Sequence, residues 1–117
     1  MRVKVIAQHS GEGAFPTFAK GTAVTLGEEC THYLHWYQCA IDGRETYVPE
    51  SFVRECKMIR DYNPTELVAE IGDVLEVQEI VYAWLMATNK NGITGWIPAE
   101  SVLSEIRGRI AGHEEVD

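Results

Sequence analysis

The stretch Trp84–Val102, WLMATNKNGITGWIPAESV, decides the fold of this chain because it carries the pattern of a β-hairpin. An apolar run, Trp84–Thr88, leads into Asn89–Gly92, whose residue types tolerate the positive φ angles of tight turns. A second short strand follows, in which Gly95 indicates a bulge or a close approach of two backbones. Pro98 cannot donate a ladder hydrogen bond, so it ends this strand or lies on a sheet edge.

This hairpin belongs to a unit that occurs twice in the chain. Gly43–Val53 matches Gly92–Val102 without a gap, and in both segments a glycine precedes a proline that is followed by a closing valine. Three further pairs of segments match in the same order: Trp36–Cys39 with Trp84–Ala87, Phe15–Leu26 with Glu66–Val77, and Val5–Ile6 with Met58–Ile59. The chain therefore contains two copies of a unit of roughly 50 residues.

Both copies predict the same series of short strands separated by turns. The first strand is Val3–Ala7 or Met58–Asp61, and an alternating strand follows at Ala23–Leu26 or Val74–Val77. No segment before residue 102 has a convincing helical period. Several short strands at regular spacing are typical of a small β-barrel or sandwich, so the predicted fold class is all-β.

The second copy resembles a Src-homology-3 (SH3) domain over about residues 57–103. Met58–Tyr62 stands where the family has its ALYDY motif, and Glu66–Asp73 stands in place of ELSF-xx-GD. Trp84–Ala87 corresponds to WWLA, and Gly95–Pro98 corresponds to GYIP. The first copy is more divergent, and together the two copies resemble the small bacterial proteins that consist of two variant SH3 domains.

The resemblance implies two consecutive, small, five-stranded SH3-like β-barrels. We expect them at residues 1–54 and 55–104, followed by a short acidic tail, residues 105–117, that is partly disordered. The join Arg54–Lys57 contains no glycine, serine or proline, so we interpret it as a short, stiff linker between the barrels.

The resemblance also implies a ligand groove lined by aromatic side chains and a proline in each barrel. The matching residues are His9, Trp36, Pro49 and Phe52 in the first barrel, and Tyr62, Trp84, Pro98 and Ser101 in the second. Several groove tyrosines are replaced, so each groove is incomplete, and a peptide other than a PxxP segment is as compatible with it as a proline-rich one. Acidic residues that would select a basic ligand residue are Glu12, Asp61, Glu66 and Glu79.

Two hypotheses for function follow, and both leave the protein without enzymatic activity. In the first, the chain is an adaptor or scaffold that binds a proline-rich or basic peptide or protein. In the second, the groove aromatics are buried in an interface between the barrels or in a homodimer, and no peptide is bound. A third hypothesis, cell-wall binding, requires export, whereas the N-terminal stretch lacks the features of a signal peptide and favours a cytoplasmic protein.

Charge and residue types exclude other classes of function. The formal net charge is −8, which argues against nucleic acid and anionic membranes as partners. Residues 55–117 carry 12 acidic and 5 basic groups, so the acid is concentrated in the second half. No Gly-rich phosphate loop or nucleophilic serine motif indicates catalysis, and no cofactor is implied.

The three cysteines form no disulfide pattern, and their odd number fits a reducing compartment. Cys30, His32, His35 and Cys39 are residue types that bind zinc, but their spacing places them on different faces, so we predict no metal site. Cys39 aligns with Ala87 and is expected to be a small buried residue.

Overall fold

A computed structural model describes residues 1–11 and 13–104, and this part of the chain is built from β-strands. It contains two short 3₁₀ helices, Glu50–Phe52 and Ala99–Ser101, and no α-helix among the described residues. The prediction of an all-β fold is therefore confirmed. The strands are β1 (Arg2–Val5), β2 (Val24–Glu29), β3 (Trp36–Ile41), β4 (Arg44–Pro49), β5 (Val53–Arg54), β6 (Lys57–Met58), β7 (Val74–Val81), β8 (Trp84–Thr88), β9 (Thr94–Pro98) and β10 (Val102–Ser104).

The decisive hairpin forms as predicted. Strands β8 and β9 pair antiparallel around the turn, where Gly92 adopts a φ of 82°. Pro98 is the last residue of β9, as expected for a residue that has no backbone N–H to donate. A Cβ atom on Gly95 would lie 2.8 Å from the backbone nitrogen of Leu67, so the predicted close approach of two backbones explains this glycine.

The described strands fall into two compact units with five strands each. Unit 1 comprises the described residues of Met1–Gly13 and Glu66–Asp117, and unit 2 comprises Ala14–Thr65. These ranges differ from the predicted domains at residues 1–54 and 55–104. The first strand of each repeat lies in the unit that is otherwise formed by the other repeat, so the two copies exchange their first strands.

Unit 1 is a single five-stranded sheet with the order β10-β1-β7-β8-β9. Strand β1 lies between β10 and β7 and pairs antiparallel with both. Alternate residues along these strands point to one face, where they bury their side chains together. This core consists of Val3, Val5, Leu67, Ala69, Leu75, Leu85, Ala87 and Ile97.

Unit 2 contains the three-stranded sheet β2-β3-β4 and the two-stranded sheet β5-β6. An isolated bridge between Ala23 and Lys57 connects the start of β2 with β6, so the five strands follow the same neighbour order as in unit 1. The buried side chains of this unit are mostly apolar and include Phe18, Val24, Cys39, Ile41, Val48 and Met58. None of the three sheets closes into a barrel within residues 1–11 and 13–104.

The join between the repeats explains the exchange. Residues 54–57, which we interpreted as a linker, form a hairpin in which β5 and β6 pair around Glu55 and Cys56. Both turn residues have positive φ angles, 52° and 62°, the conformation of a two-residue turn that matches the strand twist. A turn this short forces β6 to lie beside β5. The first strand of the second repeat therefore completes unit 2.

In the described part of the chain, no helix has the length and apolarity needed to cross a membrane. The predicted acidic tail at residues 105–117 lies outside the described residues.

Candidate functional site: two aromatic clusters

The strand exchange redistributes the residues predicted to line the two grooves. His9 follows β1 into unit 1, and Tyr62 follows β6 into unit 2. Each of these two residues therefore lies in a different unit from the tryptophan with which it was predicted to line a groove. We call His9, Trp84, Pro98 and Ser101, which lie in unit 1, the Trp84 cluster, and Trp36, Pro49, Phe52 and Tyr62, which lie in unit 2, the Trp36 cluster.

In both clusters the hairpin places the tryptophan opposite the proline. Trp84 pairs with Pro98 across β8 and β9, and Trp36 pairs with Pro49 across β3 and β4. Residues in register on neighbouring antiparallel strands project to the same face of a sheet, so each indole lies beside its proline. In both units a 3₁₀ helix starts directly after the proline.

Backbone hydrogen bonds fix the residue that each exchanged segment brings to its cluster. The nitrogen of His9 donates to the Ala69 carbonyl at 2.9 Å, and the Ala69 nitrogen donates back to the His9 carbonyl at 2.9 Å. The equivalent reciprocal pair in unit 2 joins Tyr62 and Phe18, at 2.7 and 2.9 Å. The two repeats therefore position His9 and Tyr62 by the same local pairing.

The His9 ring is held between two oxygen acceptors in the Trp84 cluster. Its Nδ1 lies 2.7 Å from the Leu67 carbonyl oxygen, and its Nε2 lies 3.1 Å from a carboxylate oxygen of Glu66. Leu67 is fixed in turn, because its nitrogen donates to the Trp96 carbonyl at 2.8 Å. The imidazole also lies edge-on to the indole of Trp84, with 5.9 Å between ring centroids and 72° between ring planes.

This geometry favours the protonated form of His9. A carbonyl and a carboxylate only accept hydrogen bonds, so both contacts are satisfied only when both ring nitrogens carry a proton. The hydrogen bond to Glu66 raises the pKa of His9 above its ordinary value, against the opposing effect of burial, and the Leu67 carbonyl and the Glu66 charge add to the increase.

The two clusters differ in how far their side chains are exposed. Trp84 is half-buried and the side chain of His9 is 14% exposed, so solvent reaches both. In unit 2, Trp36, Phe52 and Tyr62 are 5%, 3% and 4% exposed. A ligand arriving from solution therefore meets aromatic surface at the Trp84 cluster and little at the Trp36 cluster.

The buried Trp36 cluster is internally well packed. The Tyr62 hydroxyl donates to the Tyr47 carbonyl at 2.6 Å, and the Tyr62 and Phe52 rings meet at 86° with centroids 5.5 Å apart. The guanidinium of Arg60 lies 4.0 Å from the centroid of the Phe52 ring. The Tyr62 hydroxyl therefore has a partner, and the burial of the three aromatic rings gives the cluster the character of a core.

The acidic residues expected to select a basic ligand have different environments. Glu66 contacts His9 as described, whereas Asp61 accepts a hydrogen bond from the Lys20 nitrogen at 2.9 Å and stabilises a turn of unit 2. Glu79 lies on β7 opposite Met86. Glu12 lies outside the described residues. Glu66 therefore contacts the Trp84 cluster through His9.

A group of side chains that could hold a metal ion occurs elsewhere. In residues 1–11 and 13–104 it consists of Glu29, His35 and Glu50 in unit 2, whose ligand atoms lie within 4.8 Å of one another. All three are exposed, and His35 Nδ1 already lies 3.3 Å from a Glu50 oxygen. Cys39, as expected, is buried, and burial raises the pKa of its thiol to about 12.

Sequence reasoning missed the ion pair of His9 with Glu66 and the contact of Arg60 with Phe52. In both contacts the two residues belong to different repeats, and the prediction assumed that each repeat folds on itself. The signal that points to them is the two-residue turn at Glu55 and Cys56, because it decides which repeat receives the exchanged strand.

Comparisons with models of protein families, with curated proteins and with solved structures found no match to this chain.

Proposed function

We propose that this chain is a non-catalytic adaptor or scaffold that binds a peptide or protein segment through the Trp84 cluster. The observation that carries the proposal is a half-buried indole flanked by a proline and by a histidine whose two ring nitrogens both face oxygen acceptors. A partly exposed tryptophan offers apolar surface and a polar edge, which is the combination enriched at protein interfaces. The net charge of −8 favours a basic or neutral partner over an acidic one.

The resemblance to bacterial tandem SH3 domains is part of the same proposal. Each unit contributes five strands, the number that the resemblance implies, and each repeats the neighbour order of the other. We propose that the two units are SH3-like and open, with exchanged first strands. Three cysteines without disulfides are compatible with the cytoplasm as the compartment in which this adaptor acts.

A second candidate function concerns the Trp36 cluster. Its three aromatic side chains are almost fully buried, which favours a structural role over ligand binding. In that role the aromatics stabilise unit 2 from within.

The proposal is tested by a titration of ¹⁵N-labelled protein with proline-rich peptides, half of them with and half without basic residues. The indole N–H signals of the three tryptophans are followed. We expect the Trp84 signal to shift, while Trp96, which is 3% exposed, and Trp36 stay unchanged. A dilution series without peptide is run alongside. If peptides leave all three signals in place and dilution moves them, assembly replaces peptide binding as the function.

A further inference from the structure

The loop between β2 and β3 brings one histidine and two glutamates together in unit 2. Glu29 is the last residue of β2, His35 directly precedes β3, and Glu50 opens the first 3₁₀ helix. The ligand atoms of these three side chains all lie within 4.8 Å of one another. Three separate segments of the chain therefore converge on one point, and each contributes a group of a type that binds metal ions.

Backbone hydrogen bonds hold the three residues in this arrangement. The His35 nitrogen donates to a carboxylate oxygen of Glu29 at 2.8 Å, and the Glu50 nitrogen donates to the His35 carbonyl at 2.8 Å. At the base of the loop, the Cys30 nitrogen donates to the Trp36 carbonyl at 2.7 Å. His35 is therefore tied through its backbone to both glutamates, so the loop needs little rearrangement to present the three side chains to one ion.

The distances suit a small divalent cation. Nδ1 of His35 lies 3.3 Å from a carboxylate oxygen of Glu50. Zinc bonds of about 2.0–2.2 Å to nitrogen and oxygen, at tetrahedral angles, separate two ligand atoms by roughly 3.4 Å. A carboxylate has two oxygens, so Glu29 can accept from the His35 nitrogen with one and reach the ion with the other.

The mixture of ligand types selects the class of ion. Imidazole nitrogen binds zinc and related transition metals, whereas magnesium and calcium prefer oxygen ligands. Two carboxylates balance a divalent charge, and the net charge of −8 favours cations near the protein. His9 and Glu66 make a similar contact in unit 1, but no third ligand group joins them among residues 1–11 and 13–104.

We propose that Glu29, His35 and Glu50 bind a divalent transition-metal ion such as zinc. All three side chains are exposed, so an ion from solution can reach them, and water completes its coordination. The set differs from the cysteines and histidines that the sequence suggested, of which His35 alone takes part.

The ion would join the loop to the hairpin that carries the Trp36 cluster. His35 precedes Trp36 and Glu50 follows Pro49, and these two cluster residues pair across β3 and β4. A metal bound by His35 and Glu50 therefore links the segments that flank this pair. The site lies in unit 2, so it goes beyond the proposed peptide binding by unit 1.

The test is a zinc titration of the full ¹⁵N-labelled chain, followed in its amide spectra. We expect saturable shifts centred on residues 29–37 and 49–51, while the Trp84 indole signal stays unchanged. Magnesium is the control ion and should cause much smaller shifts, because it binds oxygen ligands and gives up its water reluctantly. Urea unfolding should have a higher midpoint with zinc than without it, because a ligand of the folded state stabilises that state.

Variants locate the site. His35→Gln should weaken zinc binding about tenfold or more, at least the loss caused by changing residues that orient a metal ligand. Glu50→Gln should act in the same way, and it keeps the test decisive if His35→Gln alters the loop. The matched controls are His32→Gln and Glu28→Gln, which change a histidine of the same loop and a neighbouring carboxylate outside the group. Both controls should bind zinc like the unaltered chain, and dispersed amide spectra establish that each variant is folded.

Three results would overturn the inference. The first is the absence of saturable shifts in unit 2 at millimolar zinc. The second is zinc binding that survives unchanged in both His35→Gln and Glu50→Gln, or is lost equally in His32→Gln. The third is an equal response to magnesium, which would show that the carboxylates attract cations without the imidazole. None of these outcomes touches the proposed function, because peptide binding at Trp84 is measured without metal.

Discussion

His9 is the residue whose protonation the structure ties most directly to stability. Its pKa is raised in the folded chain, so it stabilises the fold fully below the ordinary histidine value of about 6.5 and loses that contribution as the pH rises through the raised value. His9→Gln should therefore lower the free energy of unfolding more at about pH 6 than at about pH 8.5. Urea unfolding of both proteins at the two pH values measures this difference, and a loss that grows with pH would contradict it.

Gly95 leaves less room for an added methyl group than Gly11 or Gly27 does. Its Cβ would meet the Leu67 nitrogen at 2.8 Å and the Leu67 Cα at 3.0 Å, and neither backbone atom moves easily. Gly95→Ala should lower the free energy of unfolding by about 1–3 kcal/mol, the range of overpacked interiors. Gly27→Ala is a graded control, since its Cβ meets the Gln38 oxygen at 3.1 Å. Chemical denaturation should show the smaller loss for Gly27→Ala.

The environment of a residue could be predicted where it depends on residues nearby in the sequence or on the alignment of the two repeats. The close approach at Gly95, the strand end at Pro98 and the burial of Cys39 all followed from pattern and alignment of the repeats. The environment of His9 did not follow, because its partners Glu66 and Leu67 belong to the other repeat. His9 meets these residues only because its segment pairs with the segment around Ala69 in the folded chain.

At the level of elements, the turn of the β5–β6 hairpin offers a direct test of its role. Glu55 and Cys56 occupy positive φ angles of 52° and 62°, which disfavour residues with a Cβ atom. Replacing them together by Asn and Gly, Glu55→Asn with Cys56→Gly, should raise the free energy of unfolding by about 1 kcal/mol. The comparison is Tyr82→Asn with Ala83→Gly in the β7–β8 turn, where the φ angles are 43° and 72°.

Thermal or urea unfolding measures the effect of both double variants. A higher free energy of unfolding in both double variants supports the assignment of two-residue turns. A loss in the Glu55 and Cys56 double variant alone would show that the repeats are not joined by this hairpin.

The elements themselves were largely recognisable, and their connections were not. Alternation and turn residues located the strands of both repeats, including β7, β8 and β9. The β5–β6 turn escaped notice because Glu-Cys is not a common turn dipeptide, so the same four residues were interpreted as a linker. A two-residue turn and a four-residue linker differ little in sequence. The turn, however, places β6 in unit 2, whereas a linker would leave β6 with the rest of the second repeat.

At the scale of the whole molecule, the repeats present a choice that sequence alone does not decide. The first strands, Val3–Ala7 and Met58–Asp61 as predicted, are equivalent in pattern, and either one fits the same position in either unit. The connection between the two repeats decides which first strand each unit receives. The short β5–β6 turn places β6 beside β5, and β1 then pairs with β10 and β7. Exchange of equivalent elements between repeats is the intrachain form of domain swapping.

The exchange predicts which piece of the chain folds by itself. Unit 2 is continuous, so a fragment of residues 14–65 contains all five of its strands, whereas a fragment of residues 1–54 lacks β6 and carries an unpaired β1. The two fragments are close in length and differ mainly in which first strand they contain. The 14–65 fragment should therefore give dispersed amide signals and cooperative urea unfolding, although its small core will make it only marginally stable. The 1–54 fragment should be unfolded as a monomer. A folded, monomeric 1–54 fragment beside an unfolded 14–65 fragment would show that each repeat closes on its own first strand, and the exchange would then be wrong.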